Sequence, residues 1–287
     1  MSAPDLHGRT VVVTGGNSGI GKEAAVALAA MGAHVVVAAR NPTKGAAAVK
    51  EIKERAGSSE VELMALDLAS KASIHAFADD FLATHDRLDV LLNNAGLTLR
   101  KRTETVDGFE TTFGVNHLGH FLLTERLRDR LVASAPARVV NVASDAHRFA
   151  GGGLDFDDLM STKGRYRSFR TYGRSKLANI LFTRELARRL DGAGVTANSV
   201  HPGFVRSNFA REGDTGKLGN IAMILGAPLA ISPERGAQTS VFVASSPQLD
   251  GVTGQYFAKS AFAKPSRAAE DDDAALRLWE VSEQLVH

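Results

Sequence analysis

Short apolar runs rich in β-branched residues alternate with longer stretches in which apolar positions recur at a helical period. The short runs are typical of strands buried in a parallel sheet, and the longer stretches are typical of amphipathic helices. Strands are predicted over Arg9–Thr14, Ala33–Arg40, Val61–Leu66, Leu88–Asn93, Ala137–Ala143, Val195–Val200 and Gly254–Phe257. Helices are predicted over Gly19–Met31, Thr43–Arg55, Lys71–His85, Phe109–Val132, Phe169–Leu190, Pro233–Ala244 and Ala274–Leu285. The alternation predicts an α/β fold, a single doubly wound domain over residues 1–287 with a mostly parallel seven-stranded sheet and helices on both faces.

Two stretches interrupt this alternation, at residues 145–171 and 204–231. Each follows a predicted strand, and sheets of this kind bind ligands at the carboxyl ends of their strands. Both stretches are therefore predicted to be variable loops over a substrate. In the second, Leu218–Leu229 is apolar enough for a short lid helix, although a packing helix or a contact between subunits would give the same pattern.

A glycine-rich turn joins the first predicted strand to the first predicted helix. Gly15, Gly19 and Gly21 are spaced G-x-x-x-G-x-G, which differs from the G-x-G-x-x-G pattern of many Rossmann-type domains. Without side chains in the turn, backbone N–H groups and the positive end of the helix can approach a pyrophosphate. The turn predicts a dinucleotide site in a Rossmann-type fold, although glycine-rich turns also simply connect strands to helices.

Tyr172 and Lys176 stand four residues apart in the predicted helix Phe169–Leu190. Residues at this spacing share a helix face, so the phenol and the ammonium project into the same space. A nearby cation favours phenolate and lowers a tyrosine pKa of about 10 by roughly 1–3 units. The pair is predicted to be an acid–base device, although the same spacing arises by chance on amphipathic helices.

Composition and charge exclude several classes of protein. The 287 residues are 44% hydrophobic with a formal net charge of +2, which is typical of a soluble globular protein and gives no reason to expect a nucleic-acid partner. Cysteine is absent, so disulfides, thiol catalysis and cysteine-based metal sites are excluded. The acidic run Glu270–Asp273 is predicted to cap the last helix, and no metal site is predicted. No apolar run is long enough to span a membrane and the polar start is not a signal peptide, so a cytoplasmic protein is predicted.

From about His7 to Phe262, the chain resembles the short-chain dehydrogenase/reductase family. The motifs occur in the family's order: TGGNSGIG at Thr14–Gly21, NNAG at Asn93–Gly96, Asn116 in GVNHLGHF, Ser144 after ARVVNVA, Tyr172 with Lys176, and HPG at His201–Gly203. Ala143 stands where relatives often have a second serine. The run that follows Tyr172, the wide spacing from Ser144 to Tyr172 and the late Arg277–Ser282 are similar to the retinol dehydrogenase-like and WW-domain oxidoreductase-like branch. Many members of that branch carry a membrane anchor before the glycine motif, and none is predicted here.

This resemblance implies an oxidoreductase whose catalytic residues are Asn116, Ser144, Tyr172 and Lys176. Tyr172 is expected to exchange a proton with the substrate oxygen, and Ser144 to hydrogen-bond that oxygen. Lys176 is expected to lower the tyrosine pKa and to bind the nicotinamide ribose, and Asn116 to hold a water that links Lys176 to solvent.

The resemblance also implies which residues bind the dinucleotide. They are Gly15, Asn17, Ser18, Gly19, Ile20, Gly21, Arg40, Asp67, Leu68, Asn93, Asn94, Ala95, Gly96, Tyr172, Lys176, Pro202, Gly203, Val205 and Ser207. Among them, Asp67 is expected to accept from the adenine amino group, Asn93 to lie against the adenine ribose and Ser207 to bond the nicotinamide carboxamide.

The end of the second predicted strand bears on cofactor preference. Relatives that use NAD place an acid there, about 20 residues into the motif, to bond the ribose 2′-hydroxyl. Here Ala39 stands in that place and Arg40 follows, with Lys44 nearby. A guanidinium matches the oxygens of a 2′-phosphate, so NADP(H) is predicted over NAD(H). The alternative is that Arg40 is an ordinary solvated residue at the end of the strand.

A small-molecule carbonyl or alcohol is the predicted substrate, and a lipophilic aldehyde, ketone or secondary alcohol is favoured. Arginines in or near the two loops would favour an anionic substrate if one pointed inward; they are Arg165, Arg167, Arg170, Arg206 and Arg211.

Apolar positions on the helices Phe109–Val132 and Phe169–Leu190 suggest a homodimer, with a fully intramolecular core as the alternative.

Two other classes of protein compete with this interpretation. A hydrolase could use Ser144, Asp145 and His147, but no G-x-S-x-G elbow is present. A dinucleotide-binding regulatory or scaffolding protein with little turnover would keep the fold and lose part of the catalytic set, which is complete here.

Overall fold

The strands form one twisted sheet with the first strand at its centre. In chain order they are β1 (Thr10–Thr14), β2 (His34–Ala39), β3 (Val61–Ala65), β4 (Val90–Asn93), β5 (Ala137–Val142), β6 (Val195–His201), β7 (Tyr256–Ala258) and β8 (Ala261–Phe262). Their order across the sheet is β3-β2-β1-β4-β5-β6-β7-β8. All neighbours pair in parallel except β7 and β8. The predicted doubly wound α/β fold is confirmed.

The structure is a computed structural model that describes residues 4–205 and 231–287. The predicted lid segment Leu218–Leu229 lies outside the described residues, as do Arg206, Ser207 and Arg211. In the described part of the chain the sheet has eight strands, so the predicted number of seven was wrong by one. The additional strand β8 is two exposed residues that follow a turn at Lys259 and Ser260.

Helices cover both faces of the sheet. They are α1 (Gly19–Ala30), α2 (Pro42–Ala56), α3 (Lys71–Thr84), α4 (Gly119–Ala133), α5 (Ser168–Arg189), α6 (Pro233–Ser245) and α7 (Asp272–Val286). No helix among residues 4–205 and 231–287 is both long and apolar enough to cross a bilayer. The acidic run near residue 270 caps α7 as predicted, because the Asp271 side chain accepts from the backbone N–H of Ala274.

Two apolar layers hold the helices against the sheet. Val12 of β1 faces one layer, whereas its neighbours Val11 and Val13 face the other, and all three are fully buried. The first layer also takes residues from α3, α4, α5 and α7, and the second takes residues from α1, α2 and α6. Strands buried on both faces must be apolar at every position, which explains the uninterrupted runs in the sequence.

One predicted helix begins differently in the structure. The stretch predicted as a single helix over Phe109–Val132 consists of an α-helical turn (Thr111–Phe113), a π-helical turn (Gly114–Leu118) and α4. The π-turn contains Asn116 in the middle. Such turns insert one extra residue into a helix and often occur at functional sites.

Candidate active site

The turn after β1 presents backbone N–H groups at the start of α1. Gly15 and Gly19 have φ angles of 65° and 52°, which glycine adopts without strain. Ser18 precedes the helix without a side-chain capping bond, and the first turn of α1 contains no acidic residue. Asn17 and Ile20 are partly exposed beside this turn. The positive end of α1 therefore faces no carboxylate of its own, and the turn fits the pyrophosphate of a dinucleotide.

Missing side chains let this turn pack against the NNAG segment. A Cβ atom at Gly21 would overlap Nδ2 of Asn94 and would lie 2.6 Å from the carbonyl oxygen of Gly15. A Cβ atom at Gly15 would lie 3.1 Å from Cα of Ala95. The amide of Asn94 donates to the carbonyl oxygen of Thr14 at 2.8 Å, which ties the two segments together.

A buried histidine that the sequence did not single out connects these segments to Asn116. Nε2 of His120 lies 2.9 Å from Oγ1 of Thr14, and Nδ1 lies 3.1 Å from the carbonyl oxygen of Asn116. The Thr14 oxygen also accepts from the backbone N–H groups of Asn94 and Ala95. Burial lowers the pKa of His120 to about 4, so the ring is neutral at pH 7. The threonine therefore donates to Nε2, and Nδ1–H donates to Asn116.

Asn116 is fully buried in the π-turn and is held through its side chain. Its Oδ1 accepts from the backbone N–H of Leu97 at 2.8 Å, and its Nδ2 donates to the Leu97 carbonyl oxygen at 2.9 Å. A Cβ atom at Gly96 would lie 3.3 Å from this Oδ1 and 3.4 Å from Nζ of Lys176. The glycine therefore allows Asn116 and Lys176 to approach the same point.

Ser144 and Tyr172 come together where β5 ends and α5 begins. Ser144 starts a 3₁₀ turn over Asp145–Phe149, and its Oγ accepts from the backbone N–H of Ala146 at 3.1 Å. The turn packs closely on α5, since a Cβ atom at Gly173 would lie 2.7 Å from the Ala146 carbonyl oxygen. The Tyr172 phenol forms a hydrogen bond with the Ser144 side chain.

The hydrolase alternative has no support in this geometry. Nδ1 of His147 lies 2.7 Å from the backbone carbonyl oxygen of Ser144, and Nε2 accepts from the backbone N–H of Ser266 at 2.9 Å. Both ring nitrogens are thus held by the backbone. His147 is not placed to take a proton from the Ser144 hydroxyl.

Lys176 lies deep in the protein, one turn along α5 from Tyr172. Its side chain is 2% exposed, and Nζ donates to the carbonyl oxygen of Val142 at 2.8 Å. Nζ is 5.7 Å from the centroid of the Tyr172 ring. The i, i+4 spacing therefore brings the two side chains together, as the sequence predicted.

The predicted direction of the tyrosine pKa shift was wrong. Desolvation raises the pKa of Tyr172 to about 12, against the opposite effect of the Ser144 hydrogen bond. Burial also lowers the pKa of Lys176 to about 7, which reduces its charge at neutral pH. Both shifts favour uncharged groups, as expected where little water reaches them. The phenol keeps its proton near neutrality.

The residues expected at the adenosine end lie at the carboxyl ends of β2 and β3. Ala39 is buried and Arg40 is exposed, so no carboxylate and one guanidinium stand at the end of β2. Asp67 is partly buried, and its Oδ1 accepts from the backbone N–H of Ala69 at 3.0 Å. Leu68 is buried against α4, where a Cβ atom at Gly119 would lie 2.5 Å from its carbonyl oxygen.

Asn93 points into the protein. Its side chain is 2% exposed, and its amide donates to Oγ1 of Thr124 at 3.0 Å and to Oδ1 of Asn141 at 2.8 Å. The amide of Asn141 donates in turn to Thr183. This chain of side-chain bonds joins β4 and β5 to the helices, so the Asn93 amide is not directed at the adenine ribose expected beside it.

The segment after β6 packs against α6 and the glycine-rich turn. A Cβ atom at Gly236 in α6 would lie 2.6 Å from Cγ2 of Val205 and 3.2 Å from Cγ1 of Ile20. Gly203, next to Pro202, has a φ angle of 91°. The HPG turn thus directs the chain back against the glycine-rich turn.

Two exposed aromatic side chains lie on the elements that carry Ser144 and Tyr172. Phe149 and Phe169 are 58% and 59% exposed, and their ring centroids are 5.0 Å apart. Phe149 ends the turn that begins at Ser144, and Phe169 lies one helical turn before Tyr172. The loop arginines within the described residues are exposed; these are Arg165, Arg167 and Arg170.

Comparison with known proteins identifies the family. Residues 9–154 match the family model described as short chain dehydrogenase. The chain is 47% identical to human retinol dehydrogenase 12 over 98% of its length and 87% of the relative's. It is 44% identical to human WW domain-containing oxidoreductase over 100% of its length and 70% of the relative's. A solved structure titled as the RhlG/NADP active-site complex of Pseudomonas aeruginosa matches with a TM-score of 0.71 and 26% identity, covering 90% of this chain and 97% of that one.

The chain therefore belongs to the short-chain dehydrogenase/reductase family, in the retinol dehydrogenase and WW domain-containing oxidoreductase branch that its motifs predicted. It is an oxidoreductase that acts on CH–OH or C=O groups with a nicotinamide dinucleotide.

Proposed function

We propose that the protein is an NADP(H)-dependent oxidoreductase that interconverts a lipophilic aldehyde or ketone and the corresponding alcohol. The observation that carries this proposal is the assembly of Ser144, Tyr172, Lys176 and Asn116 at one edge of the sheet, beside a glycine-rich turn that fits a pyrophosphate.

The proposed chemistry divides the reaction between cofactor and protein. The nicotinamide ring, when bound, gives a hydride to the carbonyl carbon or takes one from the alcohol carbon. Tyr172, which keeps its proton near neutral pH, donates that proton to the substrate oxygen during reduction. The Ser144 hydroxyl bonds the same oxygen and stabilises its developing negative charge.

Lys176 and Asn116 support the tyrosine in this proposal. The phenolate left after proton donation is stabilised by the Lys176 ammonium and regains its proton through it. Because the Lys176 pKa is about 7, the amine exchanges protons readily near neutrality. Asn116 holds the π-turn and Leu97 in place next to this amine, and a water bound there would connect it to solvent.

Arg40 and the residues around it support the preference for NADP(H). Its guanidinium is exposed at the end of β2, beside the buried Ala39 methyl group, where NAD-using relatives have an acid. A 2′-phosphate would meet a cation there and no carboxylate. The similarity to a protein solved with NADP agrees with this preference. NAD(H) is the alternative.

The exposed pair Phe149 and Phe169 supports a lipophilic substrate. Exposed aromatic rings on the elements that carry Ser144 and Tyr172 can cover an apolar substrate and exclude water from it. The described loop arginines are exposed, which favours a neutral substrate over an anionic one. Similarity to retinol dehydrogenase 12 agrees with an apolar alcohol or aldehyde.

Replacement of Tyr172 tests the proposal. We expect Tyr172→Phe to lower kcat for a long-chain aldehyde by at least about 100-fold, because the proton donor is removed, with little change in NADPH affinity. Consumption of NADPH measures the rate, and quenching of Trp279 fluorescence or calorimetry measures the affinity. Near-normal turnover would refute the role of Tyr172.

A wild-type protein that binds NADPH but reduces no aldehyde or ketone in a broad panel would support the regulatory or scaffolding alternative instead.

The single-domain organisation, the homodimer and the cytoplasmic location stay predictions from the sequence. Limited proteolysis, light scattering and cell fractionation, respectively, test them.

A further inference from the structure

Two histidines and a glutamate converge on the edge of the sheet opposite the active site. His34 is the first residue of β2, Glu62 is the second residue of β3, and His85 follows α3. All three are partly buried and line a surface depression with Thr10 and Arg87. They stand at the amino ends of the strands, whereas the catalytic residues and the glycine-rich turn stand at the carboxyl ends.

The contacts within this cluster, defined as His34, Glu62 and His85, are short. Nε2 of His34 lies 3.0 Å from Oε1 of Glu62, and Nε2 of His85 lies 2.6 Å from the same oxygen. One potential ligand atom from each of the three residues lies within 4.8 Å of the other two. A tetrahedral ion with metal–nitrogen distances of about 2.0–2.1 Å would need only small side-chain shifts to contact all three.

The protons of His85 can be assigned from its neighbours. Oγ1 of Thr84 donates its single hydrogen to the carbonyl oxygen of Asp80 at 2.7 Å. The same oxygen lies 2.9 Å from Nδ1 of His85, so it accepts from Nδ1–H. In a neutral ring, Nε2 then carries a lone pair that faces the Glu62 carboxylate. Two acceptors this close repel each other unless a cation lies between or beside them.

His34 also faces two carboxylates. Its Nδ1 lies 3.3 Å from a carboxylate oxygen of Glu60, and its Nε2 faces Glu62. A neutral imidazole has one N–H group and cannot donate to both carboxylates. The guanidinium of Arg87 does not compensate, because it is paired with Asp89 at 2.6 Å.

We propose that the cluster binds a divalent transition-metal ion, with zinc as the best match. Two imidazole nitrogens and a carboxylate oxygen form a donor set that zinc prefers, with a water in the fourth position. The ion would use the Nε2 lone pairs of both histidines and neutralise Glu62 at once.

The surroundings of the cluster are those of a preorganised metal site. Nδ1 of each histidine lies near a second residue, Glu60 or Thr84, which favours the tautomer whose Nε2 lone pair faces Glu62. The His85 ring stacks on Phe81 with the ring centroids 4.5 Å apart. The paired strands β2 and β3 fix the positions of His34 and Glu62. A bound ion would therefore join β2, β3 and the segment before β4. It would stabilise the folded state by an amount that grows with the logarithm of its concentration once that concentration exceeds the Kd.

Zinc binding by the full chain tests this proposal. The protein, free of any affinity tag and dialysed against EDTA and then metal-free buffer, is titrated with ZnCl₂ by calorimetry at pH 7.5. Saturable binding with an equimolar endpoint and a rise in Tm are expected. Thiols cannot account for such binding, because the chain has no cysteine.

Variants show whether the cluster is the site. We expect His34→Gln and His85→Gln each to weaken zinc binding by about 10-fold or more, with wild-type turnover. His7→Gln is the matched control, since His7 forms an exposed histidine–carboxylate pair with Asp5 at 2.5 Å and should leave zinc binding unchanged. Circular dichroism of the metal-free variants shows whether they are folded.

The spectrum of the cobalt-substituted protein reports the geometry. Intense visible bands of tetrahedral Co²⁺ are expected in the wild type and should be lost in His85→Gln. Absence of saturable zinc binding, or binding that both cluster variants retain, would overturn the proposal. The cluster would then be an ion-pair network of protonated histidines around Glu62.

Discussion

The amine of Lys176 is buried in a part of the protein where a charge is unfavourable. Burial lowers its pKa from the ordinary value of 10.5 to about 7, whereas the unfolded chain keeps the ordinary value. Between these two values the unfolded state binds a proton that the folded state does not. The free energy of unfolding therefore gains a contribution that rises with pH across this window and is absent below about pH 7.

Comparison with Lys176→Met isolates that contribution. We expect the difference in unfolding free energy, wild type minus variant, to increase by roughly 2 kcal/mol from pH 7 to pH 9, since a full proton difference is worth about 1.4 kcal/mol per pH unit. Urea unfolding at several pH values measures it. The raised Tyr172 pKa has no effect in this range, because its window begins near pH 10. A difference that stays constant with pH would show that the amine is charged in the folded protein.

Arg40 is the residue on which cofactor preference is expected to depend. Arg40→Ser should raise KM for NADPH by about 10- to 100-fold, the value of one or two charge-assisted hydrogen bonds, and should leave KM for NADH almost unchanged. Steady-state kinetics with both cofactors measure the effect. Lys50→Ser serves as the control, because it also removes an exposed positive charge, on the neighbouring helix α2. Equal losses with NADPH and NADH would exclude recognition of the 2′-phosphate by Arg40.

At the scale of single residues, the sequence predicted which side chains lie together better than it predicted their protonation. Spacing alone predicted that Tyr172 and Lys176 share a helix face. The direction of the tyrosine pKa shift could not be predicted, because it depends on how much water the folded chain excludes around the phenol. His120 was missed for a related reason. Its partners Thr14 and Asn116 belong to different elements, and a lone histidine in an apolar stretch gives no signal of them.

At the scale of elements, the glycine-rich turn and α1 form one unit with the NNAG segment. Gly21→Ala would place a methyl group against Nδ2 of Asn94 and 2.6 Å from the Gly15 carbonyl oxygen, so the turn must move. We expect the Kd for NADPH to rise by at least about 10-fold, or about 1.4 kcal/mol, because the backbone N–H groups lose their positions. Calorimetry measures this constant.

Gly57→Ala provides a control for the loss of a glycine elsewhere. Gly57 ends α2 with a φ angle of 63°, and a methyl group added to it would have no neighbour within 4 Å. The substitution should lower stability by about 1 kcal/mol through backbone strain and leave cofactor affinity intact. If Gly21→Ala lowered only stability in the same way, the turn would not be the binding element.

The sequence did not predict the strand β8 or the π-helical turn before α4. The strand β8 is too short to show alternation, and it forms because the turn at Lys259 and Ser260 folds the chain back beside β7. The π-turn at Gly114–Leu118 keeps a helical sequence pattern, so the sequence gives no sign that the helix changes its hydrogen bonding there. By contrast, long apolar runs and capped amphipathic helices were predicted to within a few residues.

At the scale of the whole molecule, α7 covers the apolar faces that had suggested a homodimer. Trp279 of α7 is 1% exposed, and its ring lies 4.9 Å from that of Phe121 in α4 and 5.8 Å from that of Phe182 in α5. Arg189 lies over the same indole at 4.3 Å. Phe121 and Phe182, two of the apolar positions on these helices, are therefore covered within the same chain.

Trp279→Ala tests how far the fold depends on this cover. Loss of a large buried ring should lower the free energy of unfolding by about 3–5 kcal/mol, because a cavity opens between α4, α5 and α7. Tyr172 and Lys176 lie towards the opposite end of α5 from Arg189, so kcat measured well below the new Tm should stay near the wild-type value. Leu276→Ala on the same helix is the control, since Leu276 is 40% exposed and its loss should change stability by no more than about 0.5 kcal/mol. Thermal unfolding followed by circular dichroism gives both values. Equal stability of the two variants would mean that α7 contributes little to the core. If light scattering showed that Trp279→Ala associates while the wild type does not, the faces under α7 would be confirmed as apolar surfaces that the helix keeps covered.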